Sequence, residues 1–469
     1  MTDGTPHRVV TLAGHVDHGK SSLLRALTGM EPDRLEEERR RGRTIELGFV
    51  WTTLDGPAGG EPVTVAFVDV PGHARLVGTM IAGSGVSPAA LLVVAADDGP
   101  AVQTREHLDV LDLLGVPGLA IAVTKADRVT AERLAAAEDE VRAAVGGTQF
   151  ADAPLVPIAG PDPTGLARLR EVLAARLAAT PRPAADGAAR LWVDRAFAVE
   201  GAGTVVTGTL ADGPLAVGDE VTVLPAGRPA RVRRLQQLGR DAEVVVSGTR
   251  VAVNLAGVAP GDVRRGDVVV AGPDRSATAV DVVVRVLPGR RLGSRGAHRL
   301  HLGTAVRTPR LVPLDGDVAD GGVGPVRLLL DRPLPVRLGD RVVIRDAGRG
   351  GTVAGGVVVD PEPPRGRSDR AGRHRLLAAL AATDPTRGPT AGAGSVGGVA
   401  AWVELGGGIR AAAAATAWTG RPGDAVPDGF VVRGDLVVAA DRDAAWRDLL
   451  VTAAAAGEPC DADAGGGIT

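Results

Sequence analysis

The sequence predicts a multidomain fold in which an α/β phosphate-loop domain is followed by two β-barrels and a partial winged-helix C-terminal region. At 469 residues the chain is too long for one hydrophobic core and suggests three or four domains. Residues 9–27 read as an apolar strand, a glycine-containing loop and a helix. Residues 190–360 read as short alternating strands between glycine turns, which is typical of small barrels. The first six apolar runs suggest a small closed barrel: LWVDRAF, TVVTGTL, DEVTVL, ARVRRL, TRVAVNL and GDVVV.

The stretch VVTLAGHVDHGKSSLLRAL has the spacing of a phosphate-binding loop. Its glycines allow successive backbone N–H groups to face phosphate oxygens, and the start of the following helix adds its positive dipole end. We expect Lys20 to reach the β- and γ-phosphates and the Ser21 hydroxyl to bind magnesium. The residues expected to surround the phosphates are Gly14, His15, Val16, Asp17, His18, Gly19, Lys20, Ser21 and Ser22.

Only two lysines occur among the 53 basic residues, and both lie in candidate nucleotide-binding motifs. Lysine ends in a compact charge on a flexible stem, whereas arginine presents a planar fork, so these lysines indicate contacts with phosphate and purine. The second lysine lies in LAIAVTKAD, a buried strand that ends in Thr124, Lys125 and Asp127. A carboxylate there can accept both N–H donors on the edge of guanine, a donor pair that adenine lacks. Taken alone, TKAD would also suit an exposed strand end.

Two segments between these motifs predict the rest of a nucleotide site. In VTVAFVDVPGHARL a strand ends at Asp69, which we expect to hold magnesium through water, while the Gly72 amide senses the γ-phosphate. The His73 imidazole is expected to orient the attacking water, although a lone histidine is usually structural. In the charged segment EEERRRGRTIELG, the Thr44 hydroxyl would bind magnesium only while the γ-phosphate is present, which predicts a switch.

The composition indicates in which cellular compartment the protein works and what kind of partner it binds. The single cysteine, Cys460, and the absence of a secretory or membrane-spanning run predict a cytoplasmic protein without a membrane partner. The formal net charge of −3 argues against nucleic-acid binding by overall charge, so any RNA contact must come from local arginine patches. Aromatic residues are 2% of the chain and tyrosine is absent, which favours recognition of RNA shape and phosphates over base stacking.

The motifs GHVDHGKS, RGRTIELG, DVPGH and TKAD resemble those of translational GTPases of the elongation factor Tu type. The resemblance implies an α/β P-loop GTPase domain that uses GTP and Mg²⁺, with Lys20 and His73 as catalytic residues. Two positions depart from the family pattern. The fifth guanine-contacting motif, usually Ser-Ala, is Ala159-Gly160 here, and we expect Ala159 to serve through its backbone. Arg43 stands where an apolar residue usually precedes the switch threonine, and it is expected to loosen the apolar gate that restrains the histidine.

The barrel region resembles the bacterial selenocysteine-specific elongation factors in WVDRAFAVEGAGTVVTGTL, SGTRVAVNLAG, RLHLGTA and VIRDAGRGGTVAGGVVVDP. The resemblance implies that Asp194, Arg195 and Arg250 line a pocket for the amino acid esterified to tRNA. A selenol is an anion near neutral pH, and two guanidiniums oriented by one carboxylate would favour it over the neutral hydroxyl of serine. The alternative is that Asp194 and Arg195 form a surface ion pair on a barrel strand.

The predicted boundaries follow from these patterns. In the family that the chain resembles, several winged-helix units occur in tandem, and the last of them binds a messenger RNA hairpin. Here RHRLLAALAA and AAWRDLLVTAAAA read as helices and VPDGFVVRGDLVVAA as a β-hairpin wing, which predicts one winged-helix unit. Binding of the messenger RNA hairpin is therefore left open. The predicted segments are a GTP-binding domain at 1–182, a first barrel at 188–273, a second barrel at 274–362, a single or degenerate winged-helix region at 366–456 and a disordered tail at 457–469.

Together the resemblances imply a GTP-dependent elongation factor that binds selenocysteinyl-tRNA and delivers it to the ribosome at recoded UGA codons, with ribosome-stimulated GTP hydrolysis. Three alternative functions share the same domain order, a GTPase followed by two barrels. They are a GTPase subunit of sulfate adenylyltransferase, a general aminoacyl-tRNA or initiator-tRNA carrier, and a tRNA-sequestering module with weak hydrolysis.

Overall fold

The computed structural model describes most of the first 361 residues and three short strands beyond them. Our predictions for Arg43, Thr44, Gly72 and His73 lie outside the described residues, as do those for Cys460, most of 366–456 and the tail at 457–469. The described ranges are 7–32, 48–69, 77–84, 87–160, 162–180, 188–201, 203–272, 274–337, 339–348, 350–361, 363, 409–410, 430–433 and 436–439.

A six-stranded sheet forms the centre of the first domain, in the order β2-β3-β1-β4-β5-β6. Every neighbouring pair is parallel except the edge pair β2–β3. Strands β4 and β5 are buried along their whole length, as expected for parallel strands covered on both faces. The strands are β1 His7–Ala13, β2 Gly48–Leu54, β3 Val63–Asp69, β4 Ala89–Ala95, β5 Gly118–Thr124 and β6 Leu155–Pro157.

Helices cover both faces of this sheet. Alternate residues of β1 enter different cores: Val9 packs with the buried residues of α2 and α3, and Val10 packs with those of α1 and α5. The Thr130 hydroxyl and the Asp162 carboxylate accept backbone N–H groups at the starts of α4 and α5. The helices are α1 Lys20–Thr28, α2 Val77–Ser84, α3 Val102–Leu113, α4 Ala131–Val145 and α5 Pro163–Ala179.

The first barrel is a closed ring of six strands, because β10 pairs with both β15 and β11. All six apolar runs read from the sequence of this region are strands of the ring, which confirms that part of the predicted fold class. Three shorter strands flank it: β9 Leu215–Ala216, β12 Arg240–Ala242 and β13 Val244–Val245. The ring strands are β7 Arg190–Val199, β8 Gly203–Asp212, β10 Glu220–Leu224, β11 Arg228–Gln237, β14 Thr249–Ala256 and β15 Val268–Val270.

The second barrel region is a half-barrel, a seven-stranded antiparallel sheet in the order β18-β17-β21-β22-β16-β20-β19. Within the described ranges, no strand pairing joins its edge strands β18 and β19 into a ring. Its strands are β16 Ser276–Val286, β17 His298–Leu302, β18 Ala305–Arg307, β19 Arg310–Pro313, β20 Val323–Pro335, β21 Arg341–Asp346 and β22 Thr352–Asp360.

Three strands are described in the predicted winged-helix region: β23 Ile409–Arg410, β24 Phe430–Arg433 and β25 Leu436–Ala439. Strands β24 and β25 pair antiparallel, with Arg433 opposite Leu436, so the predicted hairpin is present. The helices predicted on either side of it lie outside the described residues. Among the residues that the structure describes, no helix is both long and apolar enough to cross a membrane.

Buried ion pairs join the barrel to the half-barrel. The Arg190 guanidinium donates to both oxygens of Asp340, at 2.7 and 2.8 Å. Arg337 donates to Asp212 at 3.0 Å and to Asp274 at 2.8 Å. All five side chains are more than 90% buried. Removing one partner of such a pair leaves an uncompensated buried charge, which typically costs about 3–5 kcal/mol, so the relative placement of the two units is strongly constrained.

The half-barrel also packs on helix α3 of the first domain. Arg285 donates to Asp112 at 2.6 Å, and Arg345 donates to Glu106 at 2.9 Å. Leu287 of the half-barrel joins the hydrophobic core that α3 covers. The first domain and the half-barrel therefore share both a core and a row of ion pairs.

Asp109 lies on α3 between two further carboxylates and is half-buried. Burial raises its pKa to about 6, and repulsion from Asp112 and Glu106 adds to the effect. Because the folded state binds this proton more tightly than the unfolded chain, stability falls as the pH rises from about 4 to about 6. We predict that Asp109→Asn stabilises the protein by about 1 kcal/mol at pH 7.5 and has little effect at pH 4.

Thermal unfolding at both pH values measures this effect. Asp139→Asn, at an exposed position on α4, is the matched control and should change the unfolding temperature little at either pH. An equal shift by Asp109→Asn at pH 4 and pH 7.5 would contradict the assignment of the effect to Asp109 ionisation.

Candidate functional site

The phosphate loop, residues 14–21, follows β1 at the carboxyl edge of the parallel sheet. Its backbone turns through left-handed conformations, with φ 132° at Gly14, 66° at Asp17 and 83° at Gly19. A Cβ at Gly14 would lie 2.2 Å from the carbonyl oxygen of Val93 in β4, so no side chain fits there. Glycine is thus required both by the backbone conformation and by the neighbouring strand.

Lys20 is the first residue of α1, and its ammonium lies inside the loop. It donates to the carbonyl oxygens of Gly14 at 3.1 Å and His15 at 2.7 Å. The side chain is nearly buried, whereas Asp17 and Ser22 are exposed. The Lys20 ammonium therefore lies next to the backbone groups of the loop that surrounds it.

Ser21 and Asp69 are brought together from different elements. The Ser21 hydroxyl at the start of α1 donates to Oδ2 of Asp69, the last residue of β3, at 3.0 Å. Asp69 is fully buried. A hydroxyl and a carboxylate oxygen are the kind of ligands that magnesium binds, so the two predicted ligands form a suitable pair. Thr44, the third predicted ligand, lies outside the described residues.

His18 links the phosphate loop to two other strand ends. Its backbone carbonyl accepts the Thr124 hydroxyl at 2.7 Å, and its Nε2 lies 2.9 Å from the Asp98 carboxylate. Burial lowers the pKa of His18 more than the hydrogen bond to Asp98 raises it. The imidazole is therefore neutral near pH 7 and donates to Asp98, and this hydrogen bond lowers the pKa of Asp98.

The predicted base-binding residues lie at the ends of β5 and β6. Lys125 is left-handed, with φ 57°, and its ammonium pairs with both oxygens of Asp97 at 3.1 and 3.3 Å. Asp127 lies in the short 3-10 helix that follows. A Cβ at Gly160 would lie 3.6 Å from Oδ2 of Asp127, so Ala159 and Gly160 run beside that carboxylate. The Ala159-Gly160 pair, which stands where the family usually has Ser-Ala, therefore still lies beside Asp127.

His107 supports the phosphate loop, a role that the sequence did not indicate. Its Nδ1 accepts the backbone N–H of Gly14 at 2.9 Å. The side chain is fully buried in α3, which lowers its pKa to about 3, with Lys20 and His15 adding repulsion. A neutral imidazole protonated on Nε2 therefore holds the loop. No motif signals this role, because a histidine within an amphipathic helix is ordinarily a packing residue.

The predicted pocket residues lie on two strands of the first barrel. The strand β7 bulges at Asp194, since Val193 is opposite Gly208 and Arg195 is opposite Thr207. Arg250 on β14 donates to both oxygens of Asp194, one at 3.2 Å and the other in a shorter contact. The Thr207 hydroxyl also donates to Asp194, at 2.5 Å.

The Asp194–Arg250 pair is largely buried, whereas the alternative was a surface ion pair between Asp194 and Arg195. Asp194 is 7% exposed and the Arg250 side chain is 15% exposed. Arg195, next to the bulge, is half-buried. The strongly paired carboxylate therefore lies within the barrel wall, and its arginine partner comes from a distant part of the sequence.

Phe49, which the sequence did not indicate, contacts the Asp194–Arg250 pair. The Arg250 guanidinium lies 3.4 Å from the centroid of the Phe49 ring. Phe49 is on β2 of the first domain, and its neighbour Gly48 is opposite Asp69 in the β2–β3 pair. The Asp194–Arg250 pair is thus in contact with the strand beside the candidate magnesium site.

Three family models match successive parts of the chain. They are the elongation factor Tu GTP binding domain over residues 5–179, elongation factor Tu domain 2 over residues 203–270, and the β-barrel domain of the selenocysteine-specific elongation factor over residues 279–365.

The chain is also similar to individual translation factors. The chain is 39% identical to the selenocysteine-specific elongation factor of Desulfomicrobium baculatum over 75% of this chain and 56% of that one. It is 39% identical to that of Escherichia coli strain K12 over 80% of this chain and 58% of that one, so it spans a little more than half the length of these curated relatives. It is also 35% identical to translation initiation factor 2 subunit gamma of Halobacterium salinarum, over 58% of this chain and 75% of the relative.

A solved structure extends the similarity to the arrangement of the domains. The crystal structure of bacterial selenocysteine-specific elongation factor EF-Sec matches with a TM-score of 0.76 at 25% identity. The match covers 96% of this chain and 73% of the other.

We predict that His107→Leu weakens binding of both GDP and GTP by roughly 10-fold, because the buried Gly14 N–H loses its acceptor. His107→Gln, which can still accept, should retain most of the affinity. Equilibrium titration with fluorescent GDP and competition with GTP measures both effects. The control is His298→Leu, which removes a buried histidine of the half-barrel and should leave nucleotide binding unchanged. Equal losses in the two histidine variants would contradict the role of His107.

Proposed function

We propose that this chain, which belongs to the family of translational GTPases that contains the selenocysteine-specific elongation factors, binds GTP and selenocysteinyl-tRNA and delivers the tRNA to the ribosome. Delivery would occur at recoded UGA codons and would end with ribosome-stimulated hydrolysis of GTP. The observation that carries the proposal is the buried Asp194–Arg250 pair, which lies against a strand of the nucleotide domain. The working compartment would be the cytoplasm.

In the proposed nucleotide site, backbone N–H groups of the phosphate loop surround the phosphates and the Lys20 ammonium balances their charge. Ser21 and Asp69 would hold Mg²⁺, whose role is to neutralise charge on the β- and γ-phosphate oxygens. Thr44 and the Gly72 amide would detect the γ-phosphate, and His73 would orient the attacking water. Catalysis would consist mainly of positioning and electrostatic stabilisation.

Guanine selection would depend on the ends of β5 and β6. Asp127 would accept the two N–H donors of the base, the Lys125 stem would cover the ring, and the Ala159 backbone would complete the edge. Thr124 would contribute by fixing the phosphate loop, since its hydroxyl holds the His18 carbonyl. The position of Gly160 beside Asp127 supports this arrangement.

Selectivity for the amino acid would come from charge. Asp194, Arg195 and Arg250 together carry a net charge of +1, which suits one selenolate and gives a neutral serine hydroxyl no comparable attraction. Asp194 accepts from both Arg250 and Thr207, so the guanidinium is fixed before a ligand arrives. Such preorganisation reduces the cost of ordering the site on binding.

An initiator-tRNA carrier is the alternative that the similarity to initiation factor 2 subunit gamma supports. The match of the half-barrel region to the β-barrel domain of the selenocysteine-specific factors favours the first proposal. Contact with a messenger RNA hairpin stays an open prediction. The discriminating experiment measures whether the protein, loaded with a GTP analogue, protects selenocysteinyl-tRNA but not seryl-tRNA on the same tRNA from deacylation.

We predict that Asp127→Asn lowers the affinity for GTP at least 100-fold, because the amide cannot accept both base N–H groups. Xanthosine triphosphate, which presents a carbonyl where guanine has its amino group, should bind this variant better than GTP does. Calorimetric titration of both nucleotides tests the prediction, with Asp139→Asn as the control. Unchanged binding of GTP to Asp127→Asn would show that the carboxylate does not contact the base.

We predict that Arg250→Ala reduces the preference for selenocysteinyl-tRNA over seryl-tRNA by roughly 10- to 100-fold while the affinity for GTP stays unchanged. The reason is loss of the preorganised positive charge beside Asp194. Arg327→Ala is the matched control, since Arg327 makes a comparable two-contact pair with Asp281 in the half-barrel. Equal loss of GTP binding and tRNA preference in Arg250→Ala would count against a pocket role.

A further inference from the structure

The bulge in β7 changes which face of the first barrel the following residues occupy. In a regular strand, successive side chains point to opposite faces of the sheet. Val193 and Ala196 both pack in the core inside the barrel. Because regular alternation would place these two residues on opposite faces, the bulge adds one residue between them. Asp194 and Arg195 therefore both lie on the outer face of the barrel wall.

Thr207 lies on β8 directly opposite the bulge. Arg195 is opposite Thr207 in the β7–β8 pair, and Asp194 is the extra residue of the register. Val206, the neighbour of Thr207, packs in the barrel core, so the Thr207 side chain points outward. Arg250, on the next strand of the ring, donates to Asp194 and lies on the same outer face. The bulge thus brings two consecutive residues of β7 to the face that carries Thr207.

The Thr207 hydroxyl joins the two members of the buried ion pair. It donates to Oδ1 of Asp194 at 2.5 Å and accepts from Nη2 of Arg250 at 3.3 Å. The same Nη2 donates to Oδ1 of Asp194 at 3.2 Å. The three side chains therefore form a closed ring of hydrogen bonds. A hydroxyl can complete this ring because it both donates and accepts a hydrogen bond, which a methyl group cannot do.

Gly208 allows β7 to approach β8 closely beside the bulge. A Cβ at Gly208 would lie 2.1 Å from the carbonyl oxygen of Trp192 and 3.0 Å from Cδ1 of Leu191. Any side chain at this position would push β7 away from β8, so the close approach requires glycine. Thr207 and Gly208 thus hold the bulged part of β7 in two ways, through a hydrogen bond and through the absence of a side chain.

The bulge also decides the net charge of this outer face. If β7 were regular beyond Val193, Arg195 would point into the apolar core of the barrel. The face would then carry only Asp194 and Arg250, whose charges cancel. With the bulge, two guanidiniums and one carboxylate share the face, which leaves a net charge of +1. A net positive charge attracts an anion, whereas a neutral hydroxyl gains little from it.

We infer that Thr207 and Gly208 are positioning residues of the proposed aminoacyl pocket. By holding the bulge, they keep Asp194 and Arg195 on the face of Arg250, and so give the pocket its preference for an anionic amino acid. The inference rests on the proposed function. The ligand class is a side chain that ends in a selenolate or, at higher pH, a thiolate. A serine hydroxyl stays neutral and is not selected.

The first test measures the ratio of the dissociation constants of seryl-tRNA and selenocysteinyl-tRNA on the same tRNA, with a non-hydrolysable GTP analogue bound. Thr207→Val keeps the side-chain shape and removes the hydroxyl, and we expect it to lower this ratio about 10-fold. Thr207→Ser keeps the hydroxyl and should retain the wild-type ratio. Thr249→Val is the matched control, because the Thr249 hydroxyl, next to Arg250 on β14, donates to the carbonyl oxygen of Val246 and not to the ion pair.

A second variant tests the close approach of the strands. Gly208→Ala places a methyl group against the Trp192 carbonyl and should also lower the ratio about 10-fold. Gly261→Ala is its control, since no atom of the described residues other than its chain neighbours lies within 4 Å of the added methyl group. Calorimetric titration should show unchanged affinity for GTP in all of these variants.

A double-mutant cycle tests whether Thr207 acts through the ion pair. In the Arg250→Ala background, Thr207→Val should have little further effect on the ratio, because the ring of hydrogen bonds is already broken. Fully additive reductions would overturn the inference.

Cysteine tests the role of charge, because a thiol has a pKa of about 8.5 and becomes a thiolate between about pH 7 and pH 9. We expect the preference of the wild type for cysteinyl-tRNA over seryl-tRNA to rise roughly 10-fold over this range. Amide-linked aminoacyl-tRNAs prevent hydrolysis during the measurement. Thr207→Val should lessen the rise, and Arg195→Gln, which leaves the face without net charge, should abolish it. A purely structural role of Thr207 would leave the pH dependence unchanged.

The outcomes separate this inference from the proposed function. If the wild type does not prefer selenocysteinyl-tRNA over seryl-tRNA, the proposed function fails and the inference falls with it. If the wild type prefers it but Thr207→Val behaves like Thr249→Val, the inference alone fails. Equal reductions in Thr207→Val and Thr207→Ser would also overturn it, because the hydroxyl would not be the cause. Should one of Thr207→Val and Gly208→Ala not fold, as judged by circular dichroism, the other decides.

Discussion

The close approach of Gly14 to Val93 is the constraint on which the rest of the candidate site depends. Because no Cβ fits between the two strands, this position must be glycine, and glycine allows the positive φ with which the chain leaves β1 and curls before it enters α1. The curl brings Lys20 into the loop and directs Ser21 to Asp69. The neutral imidazole of His107 accepts a hydrogen bond from the Gly14 N–H and so supports the loop.

The barrels are attached to this domain by charge as well as by apolar packing. Buried arginine–aspartate pairs carry a large desolvation penalty, so they stabilise little in comparison with apolar side chains of the same size. Their main consequence is geometric, because any other placement of the barrels would leave buried charges unpaired. The pairs at Arg190, Arg285 and Arg337 therefore specify how the nucleotide domain, the barrel and the half-barrel meet.

That geometry brings the Asp194–Arg250 pair of the first barrel into contact with the nucleotide domain. Arg250 lies against Phe49, one residue from the partner of Asp69 in the sheet. Asp194 lies next to the peptide that Thr304 holds. Arg250 thus contacts a strand of the nucleotide domain that follows the segment predicted from the sequence to be a switch, whereas Asp194 is next to a residue held by the half-barrel.

The sequence by itself determined the phosphate loop, the motif residues at the strand ends and all six strands of the closed barrel, because each depends on local spacing and alternation. Only the tertiary structure decided the partners of these residues. Gly14 and His107 are 93 positions apart, and Arg190 and Asp340 are 150 apart. The choice of Arg250 as the partner of Asp194, the contact with Phe49 and the open edge of the half-barrel likewise depend on how distant strands pack. Contacts at such separations follow from the shared fold and leave no periodic pattern along the chain.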